Sequence, residues 1–165
     1  MDEFIGDAIF VLFGAPVWQE DDAQRAVACA VAMQVAMAAV NAQNREEGLP
    51  EVEMGIGVHT GQVVVGNIGS AERMKYGVVG SHVNLTSRIQ SFTLGGQVLI
   101  SEPTRKEVES ILKIGNQMEV KAKGFDQPIP LSEVRGIRGR HNLSLPENAA
   151  RNREMSSESA GEASD

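Results

Sequence analysis

The chain has 165 residues, 42% of them hydrophobic and 22% charged, which is ordinary for one globular domain with a substantial core. Its net charge of -7 argues against a nucleic-acid or anionic-membrane partner, because both favour a basic surface. A single cysteine excludes a disulfide framework, and we expect no membrane-spanning segment, since no apolar run looks long enough; this predicts a cytoplasmic protein.

The first predicted elements are two short strands around a turn. The apolar run AIFVLFG (8–14) has the length of a strand, and Gly6-Asp7 before it is typical of a hairpin turn. An ordinary turn former is therefore one interpretation of Asp7. Native domains seldom open within a hairpin, so we expect that a preceding segment is missing.

The clearest helix is predicted over residues 23–44. Its valines recur every fourth residue, at Val27, Val31 and Val35. Three acidic residues at 20–22 precede it, where negative charge favours a helix N-terminus, and Gly48 follows its polar end. Cys29 lies in this segment, and we expect it to be a small buried residue rather than a catalytic thiol.

A second β region follows. Alternating apolar residues predict a strand over 52–58, a turn at 59–62, a return strand over 63–65 and a glycine-rich loop over 66–70. The chain has three histidines, which are isolated in sequence: His59, His82 and His141. Without a second histidine or cysteine at metal-ligand spacing, a zinc site is not expected.

The stretch Tyr76–Ser91 combines a short strand, a turn and an amphipathic helix, in the sequence YGVVGSHVNLTSRIQS. Asn84 and Arg88 stand four residues apart, so they share one face of this helix. An amide that can orient a hydroxyl, beside a guanidinium that can neutralise a phosphate, favours nucleotide chemistry. The alternative interpretation is a solvated helix face without a function.

The remaining predicted elements are a strand, a helix and a strand pair, at 97–101, 102–112, 117–123 and 129–134. The whole order predicts an α+β fold with antiparallel hairpins and helices on one face of the sheet. We expect residues 1–137 to form a partial domain. Residues 138–165 are polar and rich in serine and glutamate, which predicts a disordered tail.

Five segments, in this order, together resemble the class III purine nucleotide cyclases, the adenylate and guanylate cyclase catalytic domain. They are FIGDAIFVLFGAP (4–16), GIGVHTGQVVVGNIGS (55–70), YGVVGSHVNLTSRIQS (76–91), VLISEPT (98–104) and VKAKG (120–124). The resemblance implies a ferredoxin-like, antiparallel-rich sheet. The family's first strand and helices are not matched here, and no segment of the FxDIxGFT type is present.

The resemblance also implies a reaction. Family members convert a nucleoside triphosphate to its 3′,5′-cyclic monophosphate and pyrophosphate, with two Mg²⁺ or Mn²⁺ ions held by two aspartates. Asp7 matches the second of these aspartates, while the first belongs to the absent FxDIxGFT segment. Asn84 matches the asparagine that orients the ribose, and Arg88 matches the arginine that stabilises charge at the α-phosphate.

Three further positions concern substrate binding. Lys121 matches the lysine that binds the terminal phosphates, with Lys123 as the other candidate and two solvated lysines as the alternative. Glu3 and Gly77 match the base-reading positions. A carboxylate accepts hydrogen bonds from N1–H and the exocyclic amine of guanine, which predicts GTP as the favoured substrate and ATP as a possible one. The alternative for Glu3 is a solvated charge.

The family's active site forms at a head-to-tail dimer interface, which implies a homodimer, or a pair with another cyclase domain, in intracellular signalling. Two other functions remain open. A catalytically inactive cyclase-homology fragment could act as a dimerisation or regulatory module, which the missing aspartate favours. A ferredoxin-like nucleic-acid-binding module is disfavoured by the acidic charge and by the single tryptophan and tyrosine.

Overall fold

A five-stranded sheet, two separate hairpins and three helices make up the part of the chain that a computed structural model describes, which is residues 2–70, 72–122, 124–125 and 127–146. The helices are α1 (Asp22–Glu46), α2 (Ser81–Ser91) and α3 (Glu102–Val108). The strands are β1 (Asp2–Ile5), β2 (Ala8–Val11), β3 (Ile56–Val58), β4 (Val64–Ser70), β5 (Arg73–Val79), β6 (Val98–Ser101), β7 (Leu112–Val120), β8 (Ile129–Ile137) and β9 (Leu143–Ser144). The predicted α+β class with antiparallel pairing is confirmed.

The sheet is built on β8. In the order β3-β6-β8-β7, β3 is parallel to β6 and the other neighbours are antiparallel, with Leu99 of β6 opposite Glu133 of β8. Strand β9 pairs with the end of β8, at Gly136 and Ile137. Strand β6 is fully buried and the second half of β8 nearly so, because both strands lie inside the sheet and are covered by helices.

The two hairpins lie outside this sheet. Strand β1 pairs with β2 across the turn Gly6-Asp7, where Gly6 has a φ of 63° that favours glycine. Strand β4 pairs with β5, with two residues between them. The predicted pairing of the return strand with the strand before it is therefore wrong. Residues 64–70, which include the predicted glycine-rich loop, find a seven-residue partner in β5, whereas β3 has only three residues.

The helices pack on opposite faces of the sheet, so the predicted placement on one face is wrong. One buried cluster joins α1 and α3 to the sheet through Val98 and Ile100. A second cluster joins α2 to the sheet and contains Ile89, Leu99 and Leu131. Successive side chains of a strand point to opposite faces, so Leu99 faces away from its two neighbours in β6.

Helix α1 has 25 residues and is long and apolar enough, by length and composition alone, to cross a membrane. The expectation that no run reaches this length is therefore wrong. One face of α1 is part of the core, where Val27 and Val31 are fully buried. Burial against the sheet explains the apolar residues of this one face, while 28% of the apolar window as a whole is buried.

Ordered structure continues past the boundary predicted at residue 137. Leu143 lies in β9, and both Leu143 and Leu145 pack against the first cluster. The sequence did not predict this short strand, because the segment around it is polar and contains only two leucines. The boundary at 137 therefore lies too early, and the rest of the predicted tail, residues 147–165, is outside the described residues.

Candidate functional site

Helix α2 presents Asn84 and Arg88 to a polar pocket of about 550 Å³. Three serines of the same helix and two residues that follow β7 complete its wall: Ser81, Ser87, Ser91, Gly124 and Phe125. Ile89, fully buried among sheet residues, anchors the opposite side of the helix. The sequence prediction that the amide and the guanidinium share one face is confirmed by this arrangement.

Both pocket residues are available for a ligand. The side chains of Asn84 and Arg88 are exposed, and among the described residues no carboxylate lies within ion-pair distance of the Arg88 guanidinium. A cation beside four hydroxyl or amide groups, with no ion-paired carboxylate from the part of the chain that the structure describes, is suited to a phosphorylated and hydroxylated ligand. The pocket can therefore hold an anionic, sugar-like molecule.

The two predicted base-reading positions are linked through β5. Glu3 of β1 forms an ion pair with Lys75 of β5, and Gly77 follows two residues later on the same side of that strand. A Cβ on Gly77 would meet Cδ1 of Ile68 at 3.9 Å and the carbonyl oxygen of Lys75 at 4.0 Å, both ordinary contacts, so a side chain has space above this glycine. Lys75 was missed in the sequence, where only its spacing of two from Gly77 could have indicated it.

Asp7 and Lys121 stand apart from the α2 pocket. Asp7 is exposed at the β1–β2 turn, and Lys121 is exposed just after β7, three residues before Gly124 of the pocket wall. Neither residue lines the pocket. The other lysine candidate, Lys123, lies outside the described residues.

The described residues do not form a complete metal site. No group of three or more histidine, cysteine, aspartate or glutamate side chains comes together anywhere in this part of the chain. Asp7 is exposed at a turn, where it is free to reach an ion, but one carboxylate is too few for a divalent cation, which takes several oxygen ligands. The described residues by themselves therefore do not fit the two-metal centre that the resemblance implies.

Two histidines that are isolated in sequence are paired in space. Nε2 of His59, at the end of β3, lies 2.8 Å from Nδ1 of His82, in the first turn of α2. Nδ1 of His59 lies 2.7 Å from Oγ of Ser101, which in turn is 3.1 Å from Oγ1 of Thr104. Sequence spacing could not reveal this pair, because 23 residues separate the two rings.

The environment of His59 favours its neutral form. Burial, and after it the electrostatic influence of His82, together lower the pKa of His59 to about 4. A neutral ring at His59 can accept a hydrogen from His82, or donate one to it, so the 2.8 Å contact is satisfied. Only a second positive charge would set two N–H groups against each other.

Comparison with known proteins identifies the family. The model of the adenylate and guanylate cyclase catalytic domain matches residues 3–132. The guanylyl cyclase Cya2 has 52% sequence identity and a TM-score of 0.84, covering 88% of this chain and 74% of that one. The adenylyl cyclase CyaB from P. aeruginosa has 33% identity and a TM-score of 0.78, covering 87% and 74%.

Curated relatives are much longer than this chain. Adenylate cyclase 1 of Rhizobium meliloti is 34% identical over 137 residues, which are 82% of this chain and 21% of that protein. Among more distant solved cyclase domains, one has been described in complex with GTP and another as a non-canonical dimer. The matched region, the identities and the α2 pocket agree. This chain belongs to the adenylate and guanylate cyclase catalytic domain family.

Proposed function

We propose that the chain forms one part of a purine nucleotide cyclase site, which converts a nucleoside triphosphate to its 3′,5′-cyclic monophosphate and pyrophosphate. The observation that carries this proposal is the α2 pocket, in which Asn84 and Arg88 are exposed side by side. In the reaction the ribose 3′-oxygen bonds to the α-phosphorus and loses its proton to solvent. The bond from that phosphorus to pyrophosphate breaks.

Each pocket residue has a distinct part in this step. The Asn84 amide hydrogen-bonds the ribose and holds the 3′-hydroxyl in line with the α-phosphate. The Arg88 guanidinium neutralises the charge that develops on the phosphate oxygens, which is where phosphoryl transfer gains most from the protein. Lys121 binds the terminal phosphates from beyond the rim of the pocket.

We propose GTP as the favoured substrate. The Glu3 carboxylate accepts hydrogen bonds from the two donors of the guanine edge, whereas adenine offers an acceptor at N1 that would face its charge. The ion pair with Lys75 supports this role, because it holds the carboxylate against β5, the strand in which the space at Gly77 is open. The greater identity to a guanylyl cyclase than to an adenylyl cyclase points the same way.

Asp7 is proposed as one metal ligand of a site completed by a carboxylate from outside this sequence. Mg²⁺ or Mn²⁺ at such a site would supply charge neutralisation for the triphosphate. The proposal is supported by the position of Asp7 in the matched segment FIGD and by its exposure at the turn.

We also propose that the active unit is a homodimer or a pair with another cyclase domain. Asp7 does not line the α2 pocket of its own chain, so a head-to-tail partner is needed to bring a metal-binding carboxylate to Asn84 and Arg88. A solved cyclase domain described as a non-canonical dimer supports pairing of two such domains, though not this particular arrangement. The substrates GTP and ATP place the proposed reaction in the cytoplasm, in intracellular signalling.

A second candidate function is a catalytically inactive module that dimerises with a complete cyclase and regulates it. One observation favours it: among the described residues, Asp7 has no companions that would complete a metal-binding cluster. This module would change the activity of a complete partner without contributing Arg88 to the chemistry.

The test is to incubate the chain with Mn²⁺ and GTP or ATP, alone and mixed with a cyclase domain that carries the FxDIxGFT aspartate but has alanine at its own asparagine and arginine positions. We expect cyclic GMP from the mixture, and a loss of about a hundredfold or more for Arg88→Ala. The matched control is Gln90→Ala, an exposed residue of α2 outside the pocket, which should change little. No cyclic nucleotide in any mixture would contradict the proposal and favour the inactive module.

A further inference from the structure

A chain of side-chain hydrogen bonds runs through the protein to the first turn of α2. It starts at Thr60, whose Oγ1 lies 3.1 Å from Oγ1 of Thr104, and continues through Ser101 to His59 and then His82. Ser101 is 1% exposed and Thr104 is fully buried, so these two members of the hydrogen-bonded series are fixed inside the core. This series of hydrogen bonds thus joins β3, β6 and α3 to α2.

The contact with His82 holds the end of α2 that carries the site. The residue before the helix, Gly80, offers no side chain to cap it, and Ile89, near the other end, is the one fully buried residue among those described in α2. Asn84 follows His82 by two residues. The ring of His82 also rests on Gly61, where a Cβ would overlap it. The first turn of α2 is therefore held by a ring contact on one side and a hydrogen bond on the other.

The contact between the rings suits a single shared hydrogen. Nε2 of His59 and Nδ1 of His82 lie 2.8 Å apart, and either ring can be the donor. The other groups that face His59 are the hydroxyl of Ser101, from β6, and through it that of Thr104, from α3; neither is charged. The contact thus persists with both rings neutral or with one ring charged.

We propose that His59 and His82 are positioning residues for the nucleotide site, an inference that rests on the proposed cyclase function. They touch no reacting atom. They fix the first turn of α2 to the core, so that the Asn84 amide meets the ribose, and the Arg88 guanidinium meets the α-phosphate, in the geometry that the reaction needs. Small displacements of such groups cost large factors in rate.

Substitutions at His82 separate the hydrogen bond from the space that the ring fills. His82→Phe keeps a ring against Gly61 but removes the nitrogen, and His82→Ala removes both without overpacking. His82→Asn restores a polar atom near the position of Nδ1. His141→Ala is the matched control, because His141 contacts Arg140 and lies outside the hydrogen-bonded chain.

In the mixed cyclase assay with Mn²⁺ and GTP, we expect His82→Phe and His82→Ala to lower kcat about tenfold or more, with KM changed less than about threefold. His82→Asn should recover most of kcat, and His141→Ala should match the wild type. Equal losses in the Asn and Ala variants, or a kcat within twofold of wild type in both the Phe and Ala variants, would overturn the inference.

A second measurement does not depend on activity. Amide hydrogen exchange of residues 85–88 reports how firmly the start of α2 is held. We expect faster exchange in His82→Ala than in His82→Asn or the wild type, and equal rates in all three would overturn the inference. If the wild-type mixture makes no cyclic nucleotide, the proposed function fails, and the exchange rates alone decide whether this pair positions the helix.

Discussion

An ion pair joins Glu3, one of the two residues that are proposed to read the purine base, to the strand that carries the other, Gly77. Lys75 holds the carboxylate of Glu3 from β5, the strand that also carries Gly77. Because Lys75 is largely exposed, this pair adds little to the stability of the fold. Its effect is to fix the position of the Glu3 carboxylate. A carboxylate held in this way favours a base edge that presents two donors.

The base preference can be reversed by changing three residues together. Glu3→Lys with Gly77→Asp should favour ATP, and Lys75→Gln is added because a lysine at position 3 would otherwise face the Lys75 ammonium. We expect the ratio of kcat/KM for GTP over ATP to fall by at least about tenfold. Cyclic nucleotides formed from equal GTP and ATP give the ratio, with Lys75→Gln alone as the control.

An unchanged ratio in the triple variant would remove Glu3 and Gly77 from the base-reading site. If Lys75→Gln alone changed the ratio as much as the triple variant, the preference would depend on the ion pair rather than on the donor and acceptor pattern of the two base-reading residues.

His59 makes stability depend on pH. Its pKa is lowered to about 4 in the folded protein, first by burial and then by the charge of His82, against 6.5 for an ordinary histidine. Between these two pH values, His59 is therefore protonated in the unfolded chain and neutral in the folded protein. The stability that this histidine contributes is complete above pH 6.5 and is lost as pH falls from about 6.5 to about 4.

Thermal unfolding tests this pH dependence when it is measured from about pH 7.5 to about pH 4, the range over which the proton uptake of His59 differs between the unfolded and folded states. We expect the Tm of the wild type to fall more than that of His59→Gln, by on the order of 2–4 °C after allowance for solvent at a half-buried ring. His141→Ala controls for the loss of an exposed imidazole. Parallel curves for wild type and His59→Gln would contradict the assigned pKa shift.

At the scale of single residues, the sequence predicted what local spacing determines. Asn84 and Arg88 share a face because four residues make about one helical turn. The sequence could not predict the His59–His82 pair, whose residues are 23 apart, or the Glu3–Lys75 pair, whose residues are 72 apart. Long-range contacts of this kind leave no periodic signal.

Helix α2 is held on the face of the sheet opposite to α1. Its cluster contains Ile89, Leu99 and Leu131, while Val31 of α1 belongs to the other cluster. Strand β6 separates the two, since its successive side chains alternate between faces. The order of elements could not predict this division, because an apolar strand such as VLIS can be covered on one face or on both.

A pair of double-mutant cycles tests the division. Ile89→Val and Leu99→Ala remove atoms from one cluster, so we expect their effects on unfolding free energy to couple by at least about 0.5 kcal/mol. Ile89→Val and Val31→Ala act on opposite faces and should add within about 0.5 kcal/mol. Urea denaturation of the single and double variants supplies the values. If the coupling energy of Ile89→Val with Val31→Ala were as large as that of Ile89→Val with Leu99→Ala, the two clusters would form a single continuous core.

On the scale of the whole molecule, the residues that are proposed for a cyclase site do not come together within the described chain. Asn84 and Arg88 line a pocket that Asp7 does not reach, and the family's first aspartate has no counterpart in the sequence. The two short hairpins also carry exposed apolar residues, among them Phe4 at 76% exposure and Val64 at 66%. These features fit a chain that works against a partner surface rather than alone.

The family and the α+β class followed from the sequence because five motifs kept their order. The placement of α2, the length of β4 and the strand β9 did not, since tertiary packing decides whether a weak β segment pairs and which helix covers it. Which subunit supplies which side chain depends on an interface, and no local pattern of residues encodes that.

The most direct measurement of the central claim is a complementation assay. This chain carrying Asp7→Ala is mixed with a homologous cyclase domain that keeps both metal aspartates but has alanine at its own asparagine and arginine positions. With Mn²⁺ and GTP, neither protein alone should form cyclic GMP, and the mixture should, because Asn84 and Arg88 then meet the partner's metal site. The same mixture with Arg88→Ala added should be inactive. A mixture with no activity above that of the separate proteins, or one that Arg88→Ala leaves unchanged, would contradict the account.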